Sequence, residues 1–259
     1  MVGLAIFISR NVEKFNSALI PEGKCGKMKV GGRIVGGEDV EVLDELKGAV
    51  FHRHPWMARL SFLKDGNSFC GGTLISRRHV LTAAHCMIQC EKIYDCDEKP
   101  CKNDCKARGL QWITLGDYDR TKFEQEMYIE IENFVNHPKT FQPSPPRGAF
   151  QYDFSIVVLS KCVDFRDNIH AVCLPTNSSA TYEGENVVVL GWGHLRYKDD
   201  RHDLAGKHSN ILQRINITVF PEAHCKRASR TNWNPKYLMC AGDPITWNKD
   251  ACQDDSGGK

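Results

Sequence analysis

Twelve cysteines in 259 residues restrict this chain more than any other feature. A cytosolic protein of this size rarely carries so many thiols, so the number points to an oxidising compartment and to disulfides that tie distant segments together. Between the cysteines run many short strands separated by turn residues, the pattern of an all-β barrel protein. Gly72-Thr73-Leu74-Ile75-Ser76 reads as one strand, and Ser155-Ile156-Val157-Val158-Leu159 as another that is buried. Gln142 to Gly148 holds three prolines and is an irregular loop that no central strand could contain. Helix is expected only in short pieces, such as Pro221 to Cys225. No internal repeat of roughly 20 to 50 residues is visible, and the length suits a single β unit with an extension.

Charge and hydropathy exclude whole classes of function. A formal net charge of +2 implies neither nucleic acid nor an anionic membrane as partner. No stretch approaches the ~18 consecutive apolar residues of a membrane span.

Near the carboxyl end, Asp255-Ser256-Gly257-Gly258 sets a serine in a glycine-rich turn. A serine hydroxyl is a poor nucleophile near neutral pH, so it matters only where the chain also supplies a base and a group that orients the base. His85, in Leu81-Thr82-Ala83-Ala84-His85-Cys86, is the candidate base. Imidazole is the side chain best poised to exchange protons near pH 7. Asp153, at the mouth of the strand Ser155 to Leu159, is the candidate orienting acid. Among ten histidines and thirty-two acids each is weak alone, since a core histidine or a turn acid explains either. In the order His, Asp, Ser, each within its own local signature, they point to nucleophilic catalysis.

Five ordered segments carry a resemblance: Arg33-Ile34-Val35-Gly36-Gly37, Thr82-Ala83-Ala84-His85-Cys86, Asp153-Phe154-Ser155-Ile156, Gly191-Trp192-Gly193 and Asp255-Ser256-Gly257-Gly258. From Arg33 to Lys259 the chain resembles a trypsin-like serine protease of the chymotrypsin fold. The resemblance implies two packed six-stranded antiparallel β-barrels, the second incomplete because the sequence stops at Lys259, just after the nucleophile turn. Residues 1–33 are then a propeptide or linker, and residues 34–259 a carboxyl-truncated protease domain.

The same resemblance assigns roles. Ser256 becomes the nucleophile, His85 the base and Asp153 the carboxylate that holds the imidazole tautomer. Arg33-Ile34 becomes the activation cut, and the new amino group at Ile34 pairs with Asp255 to order the substrate pocket. Asp250, six residues before Ser256, becomes the floor of the primary pocket and selects Arg or Lys in the substrate, a reading preferred to a solvent-facing acid beside Lys249. Protein substrates and an upstream activating protease are the implied partners of a secreted monomer, and no cofactor is expected.

One residue departs from the pattern. Asp254 stands where the family has a glycine whose backbone N–H helps to bind the developing oxyanion. A carboxylate there opposes the negative charge, and loss of one such donor costs roughly 10²–10³ in turnover.

By resemblance Cys70 pairs with Cys86, Cys225 with Cys240, and Cys25 with Cys173, which would keep the propiece attached after the cut. Cys252 is left without its family partner. Cys90, Cys96, Cys101 and Cys105 lie in a hydrophilic insertion after His85, with spacings too irregular for a zinc motif, so a disulfide-stapled surface loop is preferred to a metal site. With Cys162 the unassigned set is five, and one thiol is left over. Acids in the loop from Asp117 could hold calcium, but surface acids are the simpler reading. Asn177-Ser178-Ser179 and Asn216-Ile217-Thr218 fit the glycosylation sequon.

Pro21 to Gly26 leading into Arg33, and Leu115-Gly116-Asp117-Tyr118-Asp119, are similar to segments of arthropod clip-domain proteases. No six-cysteine clip module precedes Cys25, and Met1 to Ile8 lacks the basic start of a secretory signal. Three readings follow: an extracellular endopeptidase zymogen, an inactive homologue that binds partners in a protease cascade, and a non-functional partial chain.

Overall fold

The structure, a computed structural model, describes residues 5–6, 25–26, 43–44, 49–50, 54–64, 66, 69–91, 104–122, 125–140, 152–175, 180–193, 209–228 and 238–243. Fourteen strands and two short helices are assigned among them. Three two-residue strands come first: β1 (Ala5–Ile6), β2 (Leu43–Asp44) and β3 (Ala49–Val50). β4 (Met57–Ser61), β5 (Cys70–Ser76) and β6 (His79–Thr82) follow, then helix α1 (Ala84–Met87). Next come β7 (Ile88–Glu91), β8 (Asp104–Ala107), β9 (Trp112–Leu115), β10 (Met127–Asn136) and β11 (Ser155–Leu159). The last elements are β12 (Asn186–Gly191), β13 (Gln213–Val219), helix α2 (Glu222–Ala228) and β14 (Met239–Gly242).

Six antiparallel strands close into a barrel in the order β10-β11-β6-β5-β4-β9. Closure removes every unpaired edge, and strand alternation fills the interior with side chains. Leu60, Leu74, Val80, Ile113, Leu115, Val157 and Leu159 are wholly buried there. Each contributes roughly 1.5–3 kcal/mol by leaving water. β5 is buried along its whole length, and its Gly72 is a packing requirement: a Cβ there would lie 2.8 Å from Val80 Cγ1 and 3.0 Å from Leu60 Cδ1. Register shifts in β5, between Leu74 and Ser76, and in β10, between Ile131 and Asn133, bend the sheet toward closure. Gly116, at φ +72°, ends β9 in a left-handed turn where a Cβ would also strike Asn168.

The second half is a four-stranded antiparallel sheet in the order β1-β14-β13-β12, open among the described residues. It is a second antiparallel sheet beside the closed barrel, in keeping with the all-β fold expected from the sequence. Ala5 and Ile6, in the segment expected to be a propeptide or linker, pair with Cys240 and Met239 of β14. An edge strand presents unpaired N–H and C=O groups, and a short extended segment satisfies them without any sequence signal of its own. The sheet meets the barrel through Met57, Tyr118, Leu190, Trp192 and Leu212. Trp192 Nε1 donates to the Tyr118 carbonyl at 3.3 Å, and Leu212 N–H donates to the same carbonyl at 2.9 Å.

Disulfides join Cys25 to Cys173, Cys70 to Cys86 and Cys225 to Cys240. Cys162 is a free, exposed cysteine. The insertion after His85 is more regular at its base than a simple loop, because β7 and β8 pair there and set Cys90 opposite Cys105 in the backbone register. Cys96, Cys101 and Cys252 lie outside the described residues.

Candidate active site

The site begins at the carboxyl end of β6. Thr82 faces inward and donates its hydroxyl to the Gly71 carbonyl at 2.7 Å, which ends the strand at a fixed depth. The chain then turns through α1, a single helical turn whose second residue is His85. The Cys70–Cys86 bridge pins the next residue to β5, so the turn cannot slide along the barrel rim. Cys70, His85 and Cys86 bring three potential metal-binding atoms together. Two of the three are joined as a disulfide, so the group describes a brace around His85 and not a metal centre.

Asp153 arrives from the neighbouring strand, two residues before β11, in a tight turn in which Phe154 N–H donates to the Tyr152 carbonyl at 2.8 Å. Tyr152 takes φ +57°, a conformation that β-carbon-bearing residues adopt rarely and only where their surroundings hold them. The support is visible: the His137 ring stacks on Tyr152 at 4.5 Å, and Thr140 Oγ1 donates to the Tyr152 carbonyl at 2.7 Å. The Phe154 ring also packs, tilted, against His137 at 4.8 Å. Burial and the nearby Lys139 ammonium hold the His137 pKa below its ordinary value.

The carboxylate of Asp153 is 3% exposed and takes two hydrogen bonds from His85. The His85 backbone N–H donates to Oδ1 at 2.8 Å, and ring Nδ1 lies 2.6 Å from Oδ2. A carboxylate accepts, so Nδ1 carries a proton, and in the neutral ring the lone pair lies on Nε2. The imidazole itself is 36% exposed, so it can reach a substrate.

Of the sequence-derived site residues, the structure brings His85 and Asp153 together. Arg33, Ile34, Asp250, Asp254, Asp255 and Ser256 lie outside the described residues. The loop from Asp117 differs from expectation. Asp117 is buried and not a surface acid, and it pairs with Arg59 of β4 at 2.5 Å, with side chains 3% and 8% exposed. Burial pushes the Asp117 carboxyl up and the Arg59 guanidinium pulls it back. Sequence reading also missed Arg108, whose Nε donates to the His85 carbonyl at 2.8 Å.

An antiparallel six-strand barrel bearing an imidazole on a buried carboxylate at its rim, docked on a second antiparallel sheet, defines a chymotrypsin-type serine protease fold. Residues 46–258 match the family model described as Trypsin. The chain is 31% identical over 257 residues to phenoloxidase-activating factor 3 of Holotrichia diomphalia, covering 95% of this chain and 64% of that protein. It is 30% identical over 238 residues to serine proteinase stubble of Drosophila melanogaster, covering 87% of this chain and 25% of the relative. Ovochymase-2 of Mus musculus is 30% identical over 230 residues, covering 87% and 32%. The chain thus spans less than two thirds of the length of each of these relatives. Among solved structures, neuropsin, a serine protease expressed in the limbic system of mouse brain, superposes with a TM-score of 0.61 at 25% identity, covering 81% of this chain and 78% of its own. The protein therefore belongs to the trypsin family.

Proposed function

We propose that this chain is the zymogen of a secreted serine endopeptidase that hydrolyses peptide bonds after Arg or Lys and is activated by cleavage between Arg33 and Ile34. The observation that carries the reading is the double hydrogen bond from His85 to buried Asp153, which leaves Nε2 as the proton acceptor. In the proposed mechanism Ser256 Oγ attacks the scissile carbonyl as its proton passes to His85 Nε2. The imidazolium so formed is stabilised by Asp153 and returns the proton to the leaving amine. Asp250 would hold the substrate guanidinium or ammonium, and the Ile34 amine would pair with Asp255 only after the cut. The Cys25–Cys173 bridge supports a propiece that stays attached. Protein substrates agree with the names of the relatives, two of which are an activating factor and a proteinase.

A second reading rests on Asp254. With a carboxylate where an oxyanion donor is needed, a folded but catalytically impaired homologue that binds cascade partners is the alternative.

Cleavage at Arg33 followed by assay on Arg-containing peptide substrates separates the two. Hydrolysis abolished by Ser256→Ala supports the protease, whereas activity no higher than that of the variant removes it. A cooperatively folded, inert chain with saturable binding to a protease or its substrate supports the homologue.

A further inference from the structure

We propose that Arg108 is a positioning residue for the base: it clamps the helical turn that carries His85 and couples that turn to the base of the cysteine-rich hairpin β7–β8. The inference rests on the catalytic reading of His85 but concerns a residue to which that reading gives no part.

A helix of four residues has no interior, so each of its carbonyls needs a partner from elsewhere. Ala84 finds one within the turn, where the Ile88 N–H donates to its carbonyl, and Ala83 offers no side-chain cap. Arg108 serves two of the other three. Its Nε donates to the His85 carbonyl at 2.8 Å, and its own backbone N–H donates to the Met87 carbonyl at 2.8 Å. The fork continues outward, with Nη1 donating to Gln89 Oε1 at 3.2 Å. Its Cζ lies over the Phe69 ring, 5.1 Å from the centroid, a cation–π contact that helps to hold the guanidinium in place.

The His85 backbone is therefore held on both sides of its α-carbon. Asp153 accepts from its N–H and Arg108 donates to its C=O. Asp153 holds the ring and the backbone N–H of His85, and the Cys70–Cys86 bridge holds the next residue, but neither engages the carbonyl side of His85. The Arg108 bond engages that side, and it is charge-assisted, a stronger class than a neutral hydrogen bond. Displacement of a reacting group by about 1 Å can cost on the order of 100-fold in rate, so a clamp of this kind affects turnover more than substrate affinity. Arg108 also follows β8 directly, so any shift of the hairpin reaches the His85 carbonyl through one side chain.

Two measurements test the assignment, one independent of hydrolysis. In the intact chain, proton NMR of the His85 Nδ1–H is expected to show faster solvent exchange in Arg108→Ala than in the parent. Arg108→Lys keeps one donor and should fall between them. Arg77→Ala, which removes a comparable arginine that donates to the Val163 carbonyl far from the site, should leave the signal unchanged. In cleaved protein, kcat for Arg108→Ala is expected to fall roughly tenfold, with KM within about twofold and partial rescue in Arg108→Lys. An unchanged Nδ1–H signal in a cooperatively folding Arg108→Ala overturns the proposal. If that variant does not fold, Arg108→Lys decides, and a signal identical to the parent's overturns it. Should the parent hydrolyse nothing while the NMR series behaves as expected, the protease reading falls and the clamp stands.

Discussion

Asp153 accepts hydrogen bonds from both the backbone N–H and the ring Nδ1 of His85, so one buried carboxylate sets the position of the residue as well as the tautomer of its side chain. The backbone bond sets where the α-carbon sits relative to β11, and the ring bond sets which nitrogen points away from the carboxylate. The two functions answer differently to mutation.

Replacing Asp153 with Asn keeps the shape and one acceptor but can present an amide N–H to the imidazole, favouring the opposite tautomer. Under the protease reading, kcat/KM of Asp153→Asn on Arg-containing peptides should fall about 10⁴-fold. Urea unfolding monitors the fold in parallel. A loss smaller than about tenfold in a folded variant would exclude Asp153 from the orienting role.

Arg59 and Asp117 make the second test. A buried pair is costly to break from one side, because the remaining charge keeps its burial and loses its partner. Arg59→Met is expected to cost about 3–5 kcal/mol in denaturant unfolding. The double variant Arg59→Met with Asp117→Leu should recover most of that loss. A single variant as stable as the parent would contradict the burial described for this pair.

His137 gives a pH dependence with a definite sign. Burial and Lys139 hold its folded pKa below the ordinary value, so between the two pKa values the unfolded chain binds more protons than the folded one. Stability then rises with pH through that window and is lost as pH falls below the ordinary histidine range. His79, lowered by burial and by Arg78, acts in the same direction. Urea titrations from about pH 7 to 5 should show the loss, and His137→Phe should flatten part of it. A parent equally stable at both ends would refute the assignment.

Asn216 is exposed on β13, whereas Ile217 beside it is buried. If the chain passes through a secretory pathway, Asn216-Ile217-Thr218 is open to glycan transfer. Mass spectrometry of protein from a secreting eukaryotic host should find a glycan that Asn216→Gln removes. A fully occupied Asn177 with a bare Asn216 would show that Thr218, whose hydroxyl donates to Asn186 Oδ1 at 3.0 Å, is too engaged to serve the sequon.

Sequence made some of this site legible and hid the rest for identifiable reasons. His85 and Asp153 each stand in a local signature beside a recognisable strand, β5 and β11 were readable from their apolar pattern, and the barrel that joins them came only from the family resemblance. Arg108 carries no such signature. Its part depends on the chain leaving at Glu91 and returning at Asp104, so that residue 108 comes back to the carbonyls of 85 and 87. Nothing in the local pattern at Ala107-Arg108-Gly109 records that return. Asp117 was misjudged for a related reason: its partner Arg59 sits 58 residues earlier on β4, and an acid in a loop reads as exposed until the facing strand is known. His137 escaped notice because its value is aromatic stacking on a strained turn, which depends on shape and not on residue type.

The bridge between Cys25 and Cys173 spans 148 residues of sequence and ties the amino-terminal segment to the chain between β11 and β12. If the chain is cut at Arg33, the two pieces remain one diffusing particle, and dilution cannot separate them. The segment that carries Cys25 then stays at high effective concentration beside the rest of the chain whatever the bulk dilution. Activation would change what the molecule does without changing where it is held, and a reducing agent would be needed to uncouple the two.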